Sequence, residues 1–316
     1  MGADVNTMQI VGAAAGRTGV YGTPSGEFLD LPVNAIQFSP LMPGASALEL
    51  QSEGTLASMA MLVPPGTLER RYAIALALRA ILPGGSFSAH APKDRGGTRL
   101  RKELQAFGCS VEEAARRHHR VVVCRRPTKV TSVDEALLNG GPRLVAGLDL
   151  WSQPGVFSWD RIDPGTELLM LHLPTLSGRG ADFGCGIGVL ARAVLASAKV
   201  EQITLIDIDR RAIKAAQRNS DDPRARFSWA DVRDPRPELA ELDFVVMNAP
   251  FHDAGTEDRM LALSFIRRAA EVLRQGGICW LTANRHLPYE AVMKPLFRRV
   301  VLKVETSGYK VYEAHK

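Results

Sequence analysis

The sequence predicts an α/β protein built from two tandem copies of one fold, and three observations predict it. A helix-sized run that ends in Gly-Gly and leads into a short strand occurs twice, Gly84 and Gly85 falling on Gly276 and Gly277 at a constant offset of 192 residues. A glycine-rich turn, Asp182-Phe-Gly-Cys-Gly-Ile-Gly188, precedes the helix-like run Val189–Ala196. Two later apolar runs each end in an acid, Asp207 and Asp231, and a third ends in Asn248, as in a sheet whose strand tips share one rim.

In the first copy the helix begins near Glu69, the turn is Pro83-Gly-Gly85 and the strand is Ser86–Ala91. At 316 residues and 46% hydrophobic content the chain has room for two domains and apolar residues for two cores. Charge is unevenly spread. Between Thr67 and Lys129 there are 14 Lys and Arg against 5 Asp and Glu, a net of +9, so the rest must be about −4 to give the overall +5. The clusters holding Lys93 and Arg95, Arg99–Lys102, Arg116, Arg117 and Arg120, and Arg125-Arg126 suit phosphate neutralisation, which carries no sequence information of its own. No run of eighteen apolar residues and no basic segment before an apolar one is present at Met1–Val11, so a cytoplasmic protein without a membrane partner is expected. Cysteines 109, 124, 185 and 279 form no C-x-x-C pair, which argues against zinc, or any metal, and against a disulfide framework.

Residues 141–165 read as a linker or lid rich in turn formers: Gly-Gly-Pro142, then Trp151–Ser158 with Phe157, then Asp163-Pro-Gly-Thr166.

The second copy, 166–316, carries the chemistry. Gly184, Gly186 and Gly188 lack Cβ atoms, so the chain can take unusual dihedrals and let a ligand approach the backbone; Cys185 is expected to pack beneath the turn. Ile203–Ile206 reads as a strand ending in Asp207, whose carboxylate can accept both hydroxyls of a ribose. Asp209 is placed to cap a helix over Arg210–Asn219. Ala225–Ala230 ends in Asp231, placed to accept from an adenine amino group; Ile208 and Val232, next to the two acids, belong to the same cofactor-binding set. The nicotinamide fingerprint fails, because its last glycine would be Val189 or Ala191.

Leu242–Met247 is a buried-strand run, which sets Asn248-Ala249-Pro250-Phe251 on the same rim as the glycine turn. A base amine is a poor nucleophile because its lone pair is delocalised. The Asn248 side-chain oxygen and the Ala249 carbonyl could each accept one N–H and draw that nitrogen towards tetrahedral geometry, with Phe251 stacked on the base. No general base is needed first, since the proton can leave afterwards. Taken alone, Asn-x-Pro-Phe is also an ordinary loop after a strand.

The spacing Asp182-x-Gly-Cys-Gly-x-Gly188 resembles motif I of class I S-adenosylmethionine-dependent methyltransferases. That resemblance implies that Asp207 holds the ribose, Asp231 the adenine, and Gly184–Gly188 the methionine moiety. Asn248–Phe251 resembles the N-P-P-[FY] motif of amino-methylating enzymes, with Ala249 in place of a proline. With His252 added, it is similar to the N-P-P-F-H form of the small-subunit (16S) ribosomal RNA guanine-N2 methyltransferases of the RsmC type. Gly155-Val-Phe-Ser158…Asp163-x-Gly-Thr166 resembles the stretch that precedes motif I there, folding over cofactor and substrate and bringing in Phe157. Ala283-Asn-Arg-His-Leu-Pro-Tyr289 resembles the A-N-x-x-L-P-Y segment, and Val300–Glu305 with Lys310–Ala314 reads as a terminal hairpin.

Two tandem Rossmann-like class I methyltransferase domains are thus implied, with a seven-stranded mixed sheet closed by an antiparallel C-terminal hairpin. The first, residues 1–140, is read as degenerate and RNA-binding. Val63-Pro-Pro65 takes the place of Asn248-Ala-Pro250, valine accepts no hydrogen bond, and nothing upstream resembles Asp182–Gly188. The expected activity is transfer of methyl from S-adenosylmethionine to guanine N2 in ribosomal RNA or the small subunit, by a monomer. Two other readings stay open: a protein glutamine-N5 methyltransferase, which gives no use for the basic half, and an RNA-binding pseudoenzyme in which Ala249 marks decay.

Overall fold

The computed structural model describes residues 16–249, 252–253, 256–257, 259–287 and 289–316 and divides into two compact units, 1–141 and 142–316. The first contains β1 (Thr18–Tyr21), β2 (Ile36–Phe38), β3 (Leu56–Leu62), α1 (Thr67–Ala80), β4 (Ile81–Pro92), α2 (Leu100–Ala106), β5 (Val111–Arg116), β6 (His119–Arg125) and α3 (Val133–Gly140). Its sheet runs β2-β1-β3-β4-β6-β5. The first four strands are parallel, while β6 is antiparallel to both β4 and β5. Central β3, Leu-Ala-Ser-Met-Ala-Met-Leu, is buried along nearly its whole length, as a parallel strand covered on both faces must be. Phe38, Leu56, Met59, Ile74, Phe87 and Phe107 fill the core around it.

The second unit contains β7 (Arg143–Val145), β8 (Leu150–Ser152), α4 (Pro164–His172), β9 (Gly178–Phe183), α5 (Val189–Leu195), β10 (Val200–Asp207), α6 (Arg210–Asn219), β11 (Ala225–Trp229), β12 (Leu242–Asn248), β13 (His252–Asp253), β14 (Thr256–Glu257), α7 (Arg259–Val272), β15 (Leu273–Asn284), α8 (Glu290–Met293), β16 (Arg299–Thr306) and β17 (Tyr309–His315). Seven strands form one sheet in the order β11-β10-β9-β12-β15-β17-β16. Its last two strands are the expected antiparallel hairpin. Parallel pairing of β9 with β10 and β12 brings Phe183, Ile206 and Met247 into line, so Gly184, Asp207 and Asn248 leave the sheet at one rim. Asp209 caps α6 through the Arg211 N–H at 2.9 Å. The segment expected as a linker is packed against this unit: the Asn219 side chain accepts from Trp151 N at 2.7 Å and donates to its carbonyl at 2.9 Å.

The internal repeat is visible in backbone geometry. α1 with β4 and α7 with β15 are each 14 and 12 residues long, at the offset of 192. Gly84 and Gly276 take φ of 78° and 80°, which an L side chain resists. A Cβ on Gly85 would lie 2.7 Å from the Ala57 carbonyl, and one on Gly277 2.8 Å from that of Leu242. β3 against β4 and β12 against β15 share the same irregularity of register.

One expectation needs correction. Leu62 pairs with His90 as Asn248 pairs with Thr282, so Leu62 rather than Val63 occupies the place of Asn248. Leucine likewise accepts no hydrogen bond. The glycine motif itself has no counterpart in the first copy, but one of its glycines does. Gly22 follows β1 as Gly184 follows β9, with φ of 69° against 70°; its N–H donates to Phe38 O, and that of Gly184 to Ile206 O, both at 2.9 Å. A single glycine in Tyr21-Gly-Thr-Pro24 forms no pattern for the eye to find. Among the described residues the first sheet has six strands, with no counterpart of β11.

Candidate active site

The glycine turn is fixed from three sides. Gly184 N and Cys185 N both donate to Ile206 O, at 2.9 and 3.0 Å. Gly188, φ 88°, lets the start of α5 approach α6: a Cβ there would lie 3.2 Å from that of Ala216. Gly186, φ 53°, donates its N–H to Asp207 Oδ2 at 2.8 Å, and a Cβ on it would meet nothing within 4 Å. The other oxygen of Asp207 accepts from Asp209 N at 2.8 Å. Burial pushes the Asp207 carboxyl up to about 6, against the lowering effect of these N–H groups.

Asp182 lies beneath the turn, fully buried; the Ala191 backbone N–H approaches it but makes no well-formed hydrogen bond to either carboxyl oxygen. Burial first, and the neighbouring Asp207 second, push its carboxyl up to about 8. Cys185 is buried as expected, its thiol 3.5 Å from Gly186 O and its ionisation suppressed by burial and by both acids.

The acceptor side is built on Asn248. Its Nδ2 donates to Asp163 Oδ2 at 2.8 Å and to Thr166 Oγ1 at 2.9 Å. A carboxylate only accepts, so the amide must turn its NH2 to Asp163 and its oxygen the other way. Asp163 Oδ2 also accepts from Thr166 N at 3.0 Å, which caps α4 behind Pro164.

These groups border one open cleft of about 470 Å³ counted with its mouth, lined by Phe157, Asp163, Thr166, Gly184, Gly186 and Asn248 among others, with Cys185 in its wall. Phe157 is 62% exposed at the mouth, so its ring is available for stacking. Arg161 and Ser158 also border the cleft. Sequence reasoning gave Asp163, Thr166 and Arg161 no role as site residues; the signal was the Asp163-x-Gly-Thr166 string, read as a turn within the segment expected to fold over cofactor and substrate, from which only Phe157 was singled out.

Asp182, Gly188 and Asp207 support the turn from behind rather than line the cleft. Asp231 lies two residues beyond β11, its carboxylate chelated by Arg233, whose backbone N–H at 2.8 Å and guanidinium both donate to it. That pairing holds its carboxyl below the usual range, so an adenine amine would share an oxygen already bonded. Val232 is buried in the core and offers no side-chain surface, whereas Ile208 is 40% exposed. Ala249 is buried. Pro250, Phe251 and the side chain of His252 lie outside the described residues.

In the first unit, Lys93 is exposed. Arg116 donates to Glu27 O at 3.3 Å, Arg117 is ion-paired with Glu27, and Arg120 is 3.8 Å from Glu113. Burial lowers the basic excess of this stretch only from +9 to +8, because Glu103 is buried along with Arg70 and only Arg126 is lost from the balance. Arg70 is buried in a two-bond pair with Glu103, and buried Arg126 donates to Leu78 O and to Glu53. All four thiols are buried and unlinked. Among the described residues no His, Cys, Asp and Glu cluster could hold a metal, and no helix is long and apolar enough to cross a membrane.

Comparison with known proteins agrees with this architecture. The "Ribosomal RNA small subunit methyltransferase C" of Shewanella loihica is 29% identical over 85% of this chain and 80% of its own length. That of Shewanella sp. strain W3-18-1 is 39% identical over 50% of this chain, a stretch spanning about half of the relative, 46%. Among solved structures, the T. thermophilus 16S rRNA N2 G1207 methyltransferase (RsmC), in complex with AdoMet and guanosine, superposes with a TM-score of 0.78 at 21% identity, covering 95% of this chain and 88% of that one. The two-unit fold is therefore shared with that enzyme. Residues 147–313 match the model of the methyltransferase small domain, and the chain belongs to that family.

Proposed function

We propose that this protein transfers a methyl group from S-adenosylmethionine to the exocyclic N2 of a guanosine in small-subunit ribosomal RNA. The observation that carries the reading is the Asn248 amide, which spends both N–H groups on Asp163 and Thr166 and so presents its oxygen as acceptor in the cleft bordered by the glycine turn. Gly184, Gly186 and Gly188 would hold the cofactor against the backbone, with Asp207 and exposed Ile208 beside its ribose and Asp231 beside its adenine; the open space at Gly186, where a Cβ would meet nothing, fits a ligand that approaches the main chain closely. When bound, that cofactor supplies an electrophilic methyl on a sulfonium sulfur. The chain's own contribution is positional: Asn248 Oδ1 and the Ala249 carbonyl orient the amine, Phe157 and Phe251 stack on the base, and alignment of this kind is worth roughly 7–11 kcal/mol.

The names of the relatives support ribosomal RNA as substrate. A base amine inside a helix is shielded, so the target guanosine lies in a loop or is flipped out of its stack. We assign the first unit, as a copy without cofactor, to positioning that RNA through Lys93, Arg95, Arg116, Arg117 and Arg120, with the protein acting as a cytoplasmic monomer. The boundaries 1–140, 141–165 and 166–316 then separate RNA-binding, cleft-covering and catalytic parts. Nucleoside mass spectrometry of 16S ribosomal RNA from cells lacking the protein tests the reading. One N2-methylguanosine should disappear and return on incubation with the purified protein and S-adenosylmethionine; an unchanged nucleoside profile overturns it.

A further inference from the structure

We infer that Asp163, the first residue of Asp163-x-Gly-Thr166, is the positioning residue that sets which way the Asn248 amide faces; the inference rests on the role given to Asn248 above. An asparagine amide presents nearly the same shape either way round, and the two faces have opposite chemistry, one accepting and one donating. Turned with NH2 towards the cleft, Asn248 would repel the N–H of a base amine instead of accepting it. Thr166 Oγ1, 2.9 Å away, does not decide the matter, because a hydroxyl both donates and accepts. The Asp163 carboxylate, at 2.8 Å, only accepts, and it is itself held by the Thr166 N–H at 3.0 Å as the cap of α4.

One oxygen therefore does two jobs, ending a helix and orienting an amide 85 residues away in sequence. The Pro-Gly pair that follows keeps the arrangement tight. A Cβ on Gly165 would lie 2.7 Å from the Tyr309 ring and 3.0 Å from Asp163 Oδ2, so any other residue there would push the cap off its partner.

The two jobs separate by substitution. Serine is an excellent helix cap but too short to reach Asn248, whereas asparagine keeps an oxygen for both bonds. The full-length protein is assayed with S-adenosylmethionine and 16S ribosomal RNA. Asp163→Ser should lower kcat tenfold or more while KM for the RNA and the cofactor Kd stay within about twofold, since loose placement at a reacting centre costs rate rather than affinity. Asp163→Asn should stay within about threefold of the parent. In the side-chain amide NMR spectrum, the Asn248 NH2 pair, identified by its loss in Asn248→Ala, should exchange slowly with water in the parent and in Asp163→Asn but fast in Asp163→Ser. Parent-like kcat in Asp163→Ser, with Asn248→Ala inactive, would overturn the role of Asp163 and leave that of Asn248 standing. If the parent itself transfers no methyl to this RNA, the guanine reading falls, and the amide resonances alone decide: an Asp163-dependent pair upholds the orientation and an independent one overturns it.

Discussion

Asp207 Oδ2 accepts from the N–H of Gly186 at 2.8 Å, so the acid at the tip of β10 holds the glycine turn at the tip of β9. The carboxylate proposed to accept from the ribose is thus also the turn's support. Asp207→Ala should therefore weaken cofactor binding through two losses at once. Bonds to a charged group contribute about 1.5–3 kcal/mol, which corresponds to a Kd for S-adenosylmethionine on the order of 10- to 100-fold higher. Calorimetric titration measures it, and an unchanged Kd would contradict the assignment.

Asp182 gives the unliganded protein a pH dependence of definite sign. Its carboxyl is raised to about 8 in the folded chain and returns to an ordinary value near 4 on unfolding. The folded state therefore binds the proton more tightly, and the resulting stability is complete below about pH 4 and lost as pH rises through 8. Asp182→Asn, which cannot ionise, should match the parent at pH 4 and exceed it at pH 9 by several kcal/mol, on the order of 5. Denaturant unfolding of the two proteins at several pH values checks this; a difference independent of pH would show that Asp182 is not protonated in the fold.

Asn248→Ala should reduce transfer by at least 100-fold while changing the cofactor Kd by less than threefold, because its oxygen serves the acceptor and not the donor. The variant also leaves the Asp163 carboxylate with one donor fewer, which costs some stability and must be separated from the rate by measuring Tm. Turnover near the parent's would remove Asn248 from the mechanism.

The second sheet was legible because four of its seven strands run into residues of distinct chemistry: the three glycines after β9, Asp207, Asp231 just beyond β11, and Asn248. Its terminal hairpin and the α6 cap were legible for the same reason, since Asp209 and Ser307-Gly308 are local signals. The Asp163–Asn248 bond was not, because it joins residues 85 apart in sequence through one oxygen that is already explained as a helix cap. Which arginines of the first unit make up its basic surface was not legible for a related reason. Arg70 and Arg126 add to a tally of basic residues, yet the fold buries both and spends their donors on Glu103, Glu53 and backbone carbonyls. Leu62, not Val63, stands where Asn248 does because only strand register, not an alignment of prolines, fixes the correspondence.

The arginines of the first unit should accordingly fall into two groups. Replacing Arg116, Arg117 and Arg120 together by Ala should weaken binding to 16S ribosomal RNA and flatten its dependence on salt, by up to three in the slope of log K against log salt concentration. Arg117 and Glu27 are 79% and 45% exposed and Arg120 is a loose 3.8 Å from Glu113, so stability should change little. Arg70→Ala should do the opposite, costing about 3–5 kcal/mol of stability by stranding Glu103. Binding titrations at several salt concentrations, alongside unfolding curves, distinguish the groups; an unchanged salt slope in the triple variant would take these residues out of the RNA interface.

Gly186 in the second unit and Gly22, the counterpart of Gly184 in the first, offer a test of what the two copies have kept. Both residues have positive φ, 69° and 53°, and a Cβ would find room at each: no atom within 4 Å of Gly186, and Leu62 O at 3.5 Å from Gly22. Alanine at either site should therefore cost only the left-handed strain, about 1 kcal/mol of stability. The consequences for binding should differ. At Gly186 the new methyl group would project into the cleft that Asn248 and Phe157 border, exactly the space proposed for the cofactor, so Gly186→Ala should raise the Kd for S-adenosylmethionine at least tenfold. Gly22→Ala should leave that Kd and the stoichiometry of one unchanged, since Val20, Pro24 and Leu62 stand where Asp182, Gly186 and Asn248 stand in the second unit. A second equivalent of cofactor bound by the parent protein, abolished by Gly22→Ala, would mean that the first copy has retained a working site.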